Sequence, residues 1–407
     1  MANHSPQLLR ALRSHDFRLY FGGQLISLAG TWMQQIAMSW LAFSLTHSAF
    51  VLGLIGFASQ LPILAFGGFG GVWSDRFDRR RVLMWTQSLA MIQALLIAGL
   101  AWQGWISAPV LVLLAFILGC INAMDLPARQ SFVVYLVEDR EQLPNAIALN
   151  SLLMNATRFV GPALAGFVVA YMGEAVCFLI NAVSYLAVLV ALRAIRVRAG
   201  EGSAIPALRA LKEGFNYTFS HPDIRTCLML IAAMGFLVTP YVVLMPMYAK
   251  DVFGGDASTF GTLISSAGAG SLTASLYLAR RTSTRGLRRK VSIAAVISGA
   301  ALAVFALNSR LGIAYPILIV LGFSVITTIA GGNTMIQTWV RDDMRGRVMA
   351  TYSMAFLCTA PLGSLAAGSL AHTVGVRPTL FTCGVLAMLV GLAHAYHLRQ
   401  TERLKRA

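Results

Sequence analysis

The sequence predicts an all-α polytopic membrane protein with twelve transmembrane helices in two pseudo-symmetric six-helix bundles. Three observations predict this class: long apolar runs, alternating loop charge and an internal repeat. Apolar residues make up 57% of the 407 positions, and the mean hydropathy is +0.69. They form runs of roughly 18 to 28 residues, each long enough for a helix to cross about 30 Å of hydrocarbon.

The twelve predicted spans fall into two groups of six. The first six are 19–45, 48–72, 83–103, 108–136, 146–171 and 175–192. A long charged connection follows, and the last six are 226–249, 257–279, 291–307, 311–339, 347–372 and 376–397. The boundaries follow the ends of the apolar runs.

The loop charges orient these spans. With the N-terminus in the cytoplasm, 28 of the 32 Lys and Arg residues fall on the inner side; Lys250, Arg310 and Arg377 fall outside, and Arg158 lies in a span. This is the positive-inside pattern. It predicts a multi-pass protein of the cytoplasmic (inner) membrane with both termini cytoplasmic, and it accounts for the net charge of +16 without nucleic acid.

An internal repeat supports the division into halves. Residues 143–173 align without a gap to 345–375 with seven identities, at an offset of 202 residues. The predicted organisation is a bundle over 1–192, a cytoplasmic linker with an interfacial helix over 193–224, and a bundle over 225–407. The linker helix should end at Pro222 and present Leu208, Leu211, Phe215 and Phe219 on one face.

The sequence offers little for other chemistries. The five cysteines lie in or beside apolar runs, and no cluster has the spacing of metal ligands. No glycine-rich loop ends in Lys-Ser/Thr, so nucleotide-driven pumping is not expected. We therefore expect a monomer in the lipid bilayer that is not an enzyme and needs no metal or other cofactor.

The loop between spans 2 and 3 reads GGVWSDRFDRRRV. Any basic loop would serve the topology, but Gly71, Asp75, Arg76, Arg79 and Arg80 fit the order G-x-x-x-D-R-x-x-R-R. This order resembles the loop 2–3 signature of the major facilitator superfamily, and the resemblance runs the length of the chain. Asp78 stands where glycine is usual.

What that resemblance implies is alternating access, with these loop charges locking a cytoplasmic gate against the start of span 11. The matching loop of the second half, ARRTSTRGLRRK, has no acid, so only the first is expected to be a full latch. More specifically, the segments DLPARQSFVVYLV, RFVGPALAG and RGRVMATY resemble the branch of the superfamily that contains the enterobactin exporter and the macrolide-efflux proteins. That branch implies export.

Two ionisable residues fall at the same depth in neighbouring spans. Asp125 in span 4 and Arg158 in span 5 are each about 18 Å from the cytoplasmic surface. Because the two residues lie at the same depth, we predict that they form an ion pair. The pair could be a structural bridge, a proton-coupling site or a direct contact to substrate. Arg129 is expected to extend toward lipid phosphates or water.

Further polar side chains are candidates for lining a substrate cavity: Gln34, Gln35, Asn122, Asn155, Asn333 and Gln337. In span 5, Gly161, Pro162 and Gly166 partly resemble the superfamily's antiporter signature, with Ala165 replacing a usual glycine. They indicate either a helix bend or ordinary close packing.

These features favour a secondary transporter that exports small amphipathic molecules, siderophore-like or drug-like, in antiport with protons. A nutrient importer or uniporter is the alternative, and a lipid translocase is a more distant one.

Overall fold

The computed structural model describes residues 7–137, 142–195, 207–281, 283–284 and 286–404, and within these ranges it leaves out the side chains of 67–76 and of a few other positions. The described part is almost entirely helical, with no β-strand. A 3₁₀ segment, Gln7–Arg13, precedes six long helices: α1 (His15–Thr46), α2 (Ala49–Arg76), α3 (Arg79–Trp102), α4 (Ala108–Phe132), α5 (Leu143–Met172) and α6 (Glu174–Ala194).

The described residues after 206 form eight α-helices: α7 (Ala207–Ser220), α8 (Pro222–Leu237), α9 (Tyr241–Met247), α10 (Ala257–Ala279), α11 (Leu287–Leu307), α12 (Leu311–Trp339), α13 (Arg345–Val374) and α14 (Val376–Leu404). The predicted seventh span is divided between α8 and α9. Pro240 accounts for this break, since proline removes a backbone donor and clashes with the preceding turn, whereas α9 continues through Pro246.

Ten segments of the described chain are long and apolar enough to cross a membrane, one of them combining α8 and α9. The polytopic all-α class is therefore confirmed. Two predicted spans, α1 and α10, are absent from the ten. Glutamines in α1 and the many Ser, Thr and Gly residues in α10 make both less apolar, and the total of twelve stays a prediction.

The chain divides into two compact units. Unit 1 comprises Met1–Leu45 and Ala58–Ile205, and unit 2 comprises Thr46–Phe57 and Pro206–Ala407. The first part of α2 thus belongs to unit 2, where Gly53 approaches the backbone of Ser364 in α13. The predicted bundle limits at 192 and 225 stay predictions.

The core of unit 1 is built from α1, α3, α4 and α6. Phe17, Leu83, Phe132 and Leu192 are almost completely buried in it. Gly23 and Gly30 let α1 approach α6 closely, because a Cβ at Gly23 would lie 3.0 Å from the Ala187 carbonyl oxygen. This approach brings the polar face of α1 against α6.

Unit 2 is held by glycines at helix crossings. A Cβ at Gly322 of α12 would collide with the Ala267 carbonyl of α10, and one at Gly270 of α10 with the Ile319 carbonyl of α12. Gly384 of α14 lies against Ala303 of α11, where a Cβ would be 2.5 Å from the Ala303 nitrogen. The helix backbones of unit 2 therefore touch directly.

A helix lies at the position of the predicted linker helix, since α7 ends at Ser220 and α8 begins at Pro222. The side chains of Leu208 and Leu211 lie outside those described. Gly214 and Thr218 are buried, and Gly214 packs against the first turn of α13 at the Arg347 carbonyl. Glu213 bonds Arg347 at 2.8 Å. Phe215 is 53% exposed, and its contact with a membrane interface stays a prediction.

Candidate functional site

A stripe of polar side chains runs along the inner face of α1 in unit 1. Its members, spaced at helical intervals, are Tyr20, Gln24, Ser27, Thr31 and Gln34. All are buried except Thr31, which is half-buried. Because apolar side chains surround the stripe, each of its polar atoms needs a partner on a neighbouring helix.

The stripe faces a buried carboxylate on α4. Asp125 is 1% exposed, and its Oδ1 accepts hydrogen bonds of 2.7 Å from both Thr86 Oγ1 and Gln87 Nε2 of α3. Its Oδ2 forms an ion pair with Arg129, one turn later on α4. Four positions is the helical spacing that places two side chains side by side, so a single helix supplies both charges.

The predicted partner of Asp125 was wrong. Arg158 is exposed, and its guanidinium carbon lies 5.1 Å from the centre of the Trp32 ring. The expectation that Arg129 extends to lipid or water was also wrong. Equal depth of Asp125 and Arg158 carried no information on which way each side chain points, whereas the i, i+4 spacing of Asp125 and Arg129 did.

Two polar side chains of α5, among them the predicted cavity residue Asn155, bond within their own helix. Ser151 and Asn155 donate to carbonyls of their own helix, to Ile147 at 3.0 Å and to Ser151 at 2.9 Å. Asn122 of α4 is half-buried. These bonds therefore do not join Asn122 to Asn155, the two cavity candidates of α4 and α5.

A second polar cluster lies two turns further along α1. Gln34 is 1% exposed; it donates to Gln93 Oε1 at 2.8 Å and accepts from Asn181 Nδ2 at 2.6 Å. Gln93 in turn donates to the Leu114 carbonyl at 3.2 Å. Gln34, predicted to face a substrate cavity, is instead committed to the interior of unit 1, while its neighbour Gln35 is exposed.

The two clusters are linked through the middle of unit 1. Ser27 Oγ donates to Gln87 Oε1 at 3.4 Å, and Thr31 Oγ1 bonds the Ser27 carbonyl at 2.9 Å. Thr31 also lies 3.4 Å from the hydroxyl of Tyr185, which is one turn from Asn181 on α6. Polar side chains therefore follow one another from Arg129 to Gln93, over about 10 Å of α1 from Ser27 to Gln34.

Sequence reasoning missed most of this network. Thr86, Gln87 and Gln93 on α3, and Tyr20 and Gln24 on α1, were not singled out. The helical spacing of five polar residues along α1, each inside an apolar run, was the signal that could have found them.

The loop motif lies at the junction of α2 and α3. Gly71, Asp75 and Arg76 fall at the end of α2 among the side chains outside those described, and so does the predicted contact of Asp75 with span 11. Arg79 is 5% exposed and donates to the Tyr135 hydroxyl at 2.9 Å. Arg80 donates to the Leu192 and Arg193 carbonyls, at 2.6 and 2.8 Å, and so caps the end of α6.

The departure at Asp78 has a local explanation. Asp78 is the N-cap of α3, and its carboxylate accepts from the Arg80 backbone nitrogen at 2.9 Å. Its φ of −56° needs no glycine. Aspartate is among the preferred N-cap residues, so the turn forms with a side chain present.

The glycine-proline segment of α5 packs closely. A Cβ at Gly161 would lie 2.6 Å from Trp32 Cβ of α1, Pro162 and Gly166 are buried, and the helix continues through the proline.

In unit 2, Gln337 donates to Asn333 at 2.6 Å on an exposed part of α12.

Comparison with known proteins identifies the family to which the chain belongs. The family described as "Transmembrane secretion effector" matches residues 7–406. The staphyloferrin A transporter of Staphylococcus aureus is 25% identical over 402 residues, 95% of this chain and 97% of that one. Multidrug efflux pump Tap of Mycolicibacterium fortuitum is 23% identical (92% and 93% coverage), and macrolide efflux protein A of Streptococcus pyogenes is 20% identical (92% and 94%).

Solved structures show the same fold. A bacterial homologue of the human lysosomal transporter Spinster aligns with a TM-score of 0.74 at 14% identity, covering 98% of each chain. A bacterial homologue of the iron transporter ferroportin gives 0.68 at 17% identity, covering 94% of this chain and 99% of that one.

The match to the family model and the helical membrane fold together identify a transporter of the major facilitator superfamily. Within that superfamily, the chain belongs to the family of transmembrane secretion effectors, whose match leaves only the first six residues and the last one uncovered.

Proposed function

We propose that this protein exports small amphipathic molecules, siderophore-like or drug-like, across the cytoplasmic membrane in exchange for protons. It would act as a monomer by alternating access, with both termini in the cytoplasm. The names of the relatives, a staphyloferrin A transporter and two efflux proteins, support export and this substrate class.

One observation carries the proton coupling: the buried Asp125 carboxylate. The apolar segment that contains Asp125 spans Ala108–Tyr135. Asp125 lies ten residues before its end, which is about 15 Å along the helix. Ionisable groups at such depth are costly, and they are functional candidates by default. Among the described residues, the only other buried acidic residue is Asp16, which is 8% exposed and lies in the first turn of α1.

Protonation of Asp125 would change how three helices are held. The ionised carboxylate joins α3, through Thr86 and Gln87, to α4 and to Arg129. A proton on Oδ2 removes the charge that holds Arg129, so the contact set differs between the two protonation states. A contact set that one state has and the other loses can bias a conformational equilibrium.

The gate and the substrate cavity belong to the same proposal. Arg79 and Arg80 anchor the start of α3 to Tyr135 and to the end of α6, which supports a latch role for Gly71, Asp75 and Arg76 at the adjoining end of α2. Gln35, Asn122, Asn155, Asn333 and Gln337 remain the proposed cavity residues. Gln34 leaves this set because both ends of its amide are bonded inside unit 1.

Everted membrane vesicles test export directly. Vesicles with an inward-acidic pump-generated gradient would be given erythromycin, ethidium and a carboxylate siderophore. We expect gradient-dependent accumulation of at least one probe, lost in Asp125→Asn and kept in Glu174→Gln, a matched change in the first turn of α6.

The rival functions give different outcomes in the same preparations. Accumulation of a nutrient by right-side-out vesicles alone would replace export with import. Flipping of a fluorescent lipid in liposomes, with no accumulation of any soluble probe, would replace it with lipid translocation.

A further inference from the structure

A group of unpartnered polar atoms surrounds the Asp125–Arg129 pair. Tyr20 and Gln24 are each 1% exposed, and among the described residues neither the Tyr20 hydroxyl nor either end of the Gln24 amide has a hydrogen-bond partner. Arg129 Nε likewise has no acceptor there. Buried polar groups are normally paired, so these atoms call for an explanation.

The α1 contacts place these atoms beside the pair. The Tyr20 ring packs edge-on against Phe132, one turn beyond Arg129 on α4, with centroids 5.7 Å apart. Ser27 bonds Gln87, which bonds Asp125. Gln24 lies between Tyr20 and Ser27 on the same face of α1, and the Tyr20 hydroxyl interacts electrostatically with both Arg129 and Asp125.

The unpartnered atoms are complementary. Gln24 Oε1 and the Tyr20 oxygen are hydrogen-bond acceptors, whereas Arg129 Nε is a donor. When Asp125 is ionised, one terminal nitrogen of the Arg129 guanidinium donates to its carboxylate. If Asp125 becomes neutral, the buried guanidinium of Arg129 requires other acceptors. Gln24 Oε1 and the Tyr20 oxygen are unpartnered acceptors on the facing helix α1.

We propose that Gln24 and Tyr20 are positioning residues that receive the Arg129 guanidinium when Asp125 is protonated. This inference rests on the proposed proton coupling and deepens it. A proton binds Asp125 Oδ2, the Arg129 bond to that oxygen breaks, and Arg129 donates to Gln24 Oε1 and the Tyr20 oxygen; proton release reverses each step.

The surroundings contain few other groups that could titrate. Tyr20 faces the pair from α1 and Tyr185 from α6, while α3 contributes the neutral Thr86 and Gln87. The acceptors on α1 therefore favour the protonated form of Asp125, because they stabilise Arg129 away from it.

Infrared titration of the purified full-length protein tests this placement. The carbonyl stretch of protonated Asp125 would be assigned by its loss in Asp125→Asn and followed against pH. In Gln24→Leu we expect the titration midpoint to fall by about one pH unit, equivalent to about 1.4 kcal/mol. Tyr20→Phe should lower it less, and Gln24→Glu should raise it, since a new carboxylate draws Arg129 away from Asp125.

Gln103→Leu, the same change at the exposed end of α3, is the matched control and should leave the midpoint unchanged. A midpoint unmoved in Gln24→Leu and Gln24→Glu would overturn the inference while leaving proton coupling intact. If Gln24→Leu does not fold, the opposite shifts expected of Gln24→Glu and Tyr20→Phe decide it. A band absent from the wild type at every pH would remove both proposals.

Discussion

In unit 1, buried side chains of α1, α3, α4 and α6 hydrogen-bond to one another around a carboxylate, whereas in unit 2 the α10–α12 and α11–α14 crossings place glycines directly against a neighbouring backbone. Extended to α4 and α12, the repeat offset of 202 places Thr327 where unit 1 has Asp125. Thr327 donates to the Phe323 carbonyl of its own helix at 2.7 Å. Among the described residues, the buried carboxylates Asp16 and Asp125 both lie in unit 1, whereas unit 2 has other polar pairs, such as Ser292 with His394.

The contrast suggests different mechanical roles. Side-chain networks have partners that a proton can rearrange, but backbone contacts at glycine have none. Under the proposed coupling, the side-chain network of unit 1 would respond to protonation, while the glycine crossings of unit 2 would keep their packing. Each prediction below tests one side of that contrast.

The largest effect is expected from Asp125→Leu. It strands a buried guanidinium and leaves Thr86 and Gln87 without their acceptor, so the free energy of unfolding should fall by about 3–5 kcal/mol. Thr327→Val in unit 2 should cost less than about 1 kcal/mol. Thermal unfolding in detergent measures both, and the double variant Asp125→Leu/Arg129→Leu should recover part of the loss. Equal losses at Asp125 and Thr327 would remove the contrast.

The next largest loss in the free energy of unfolding, about 1–3 kcal/mol, is expected from Gly322→Ala in unit 2. The added Cβ would collide with the Ala267 carbonyl, and a helix backbone moves aside less easily than a side chain. Gly312→Ala in the same helix has open space and should be neutral or stabilising by up to about 1 kcal/mol. Similar melting temperatures for the two variants would contradict direct backbone packing.

Gln93→Leu should cost about 1–2 kcal/mol, because it removes the acceptor of the Gln34 amide inside unit 1. The double variant Gln34→Leu/Gln93→Leu should cost less than the two single changes added together. Strict additivity in a double-mutant cycle would show that the two amides do not act together.

The smallest difference between units should be at helix caps. Asp78→Ala on α3 and Asp256→Ala on α10 should each cost about 1 kcal/mol. Bonds from the Ser258 hydroxyl and from the Ser258 and Thr259 backbone nitrogens lower the pKa of Asp256. Its stabilisation is present above the ordinary carboxyl pKa and is lost as pH falls through the lowered folded value. The Asp256→Ala penalty should therefore shrink in acid, and a penalty independent of pH would contradict this cap.

The fold was largely predictable from the sequence because spans depend on run length and charge, both of which are local. Asp125 was found for the same reason, as an acid inside an apolar run. Its partner was not, since pairing depends on helix rotation: Arg158 turns to Trp32 while Arg129 turns inward. The break between α8 and α9 was also missed, although Pro240 marks it in the sequence.

The most direct test of the account measures proton movement driven by substrate. Proteoliposomes containing a pH-sensitive dye would receive an outward gradient of the probe accumulated by everted vesicles, with no other ion gradient. We predict proton movement opposite to the probe in the wild type, and its loss in Asp125→Asn while gradient-free exchange of the probe continues. Proton movement at the wild-type rate in Asp125→Asn would contradict the assignment of coupling to this carboxylate.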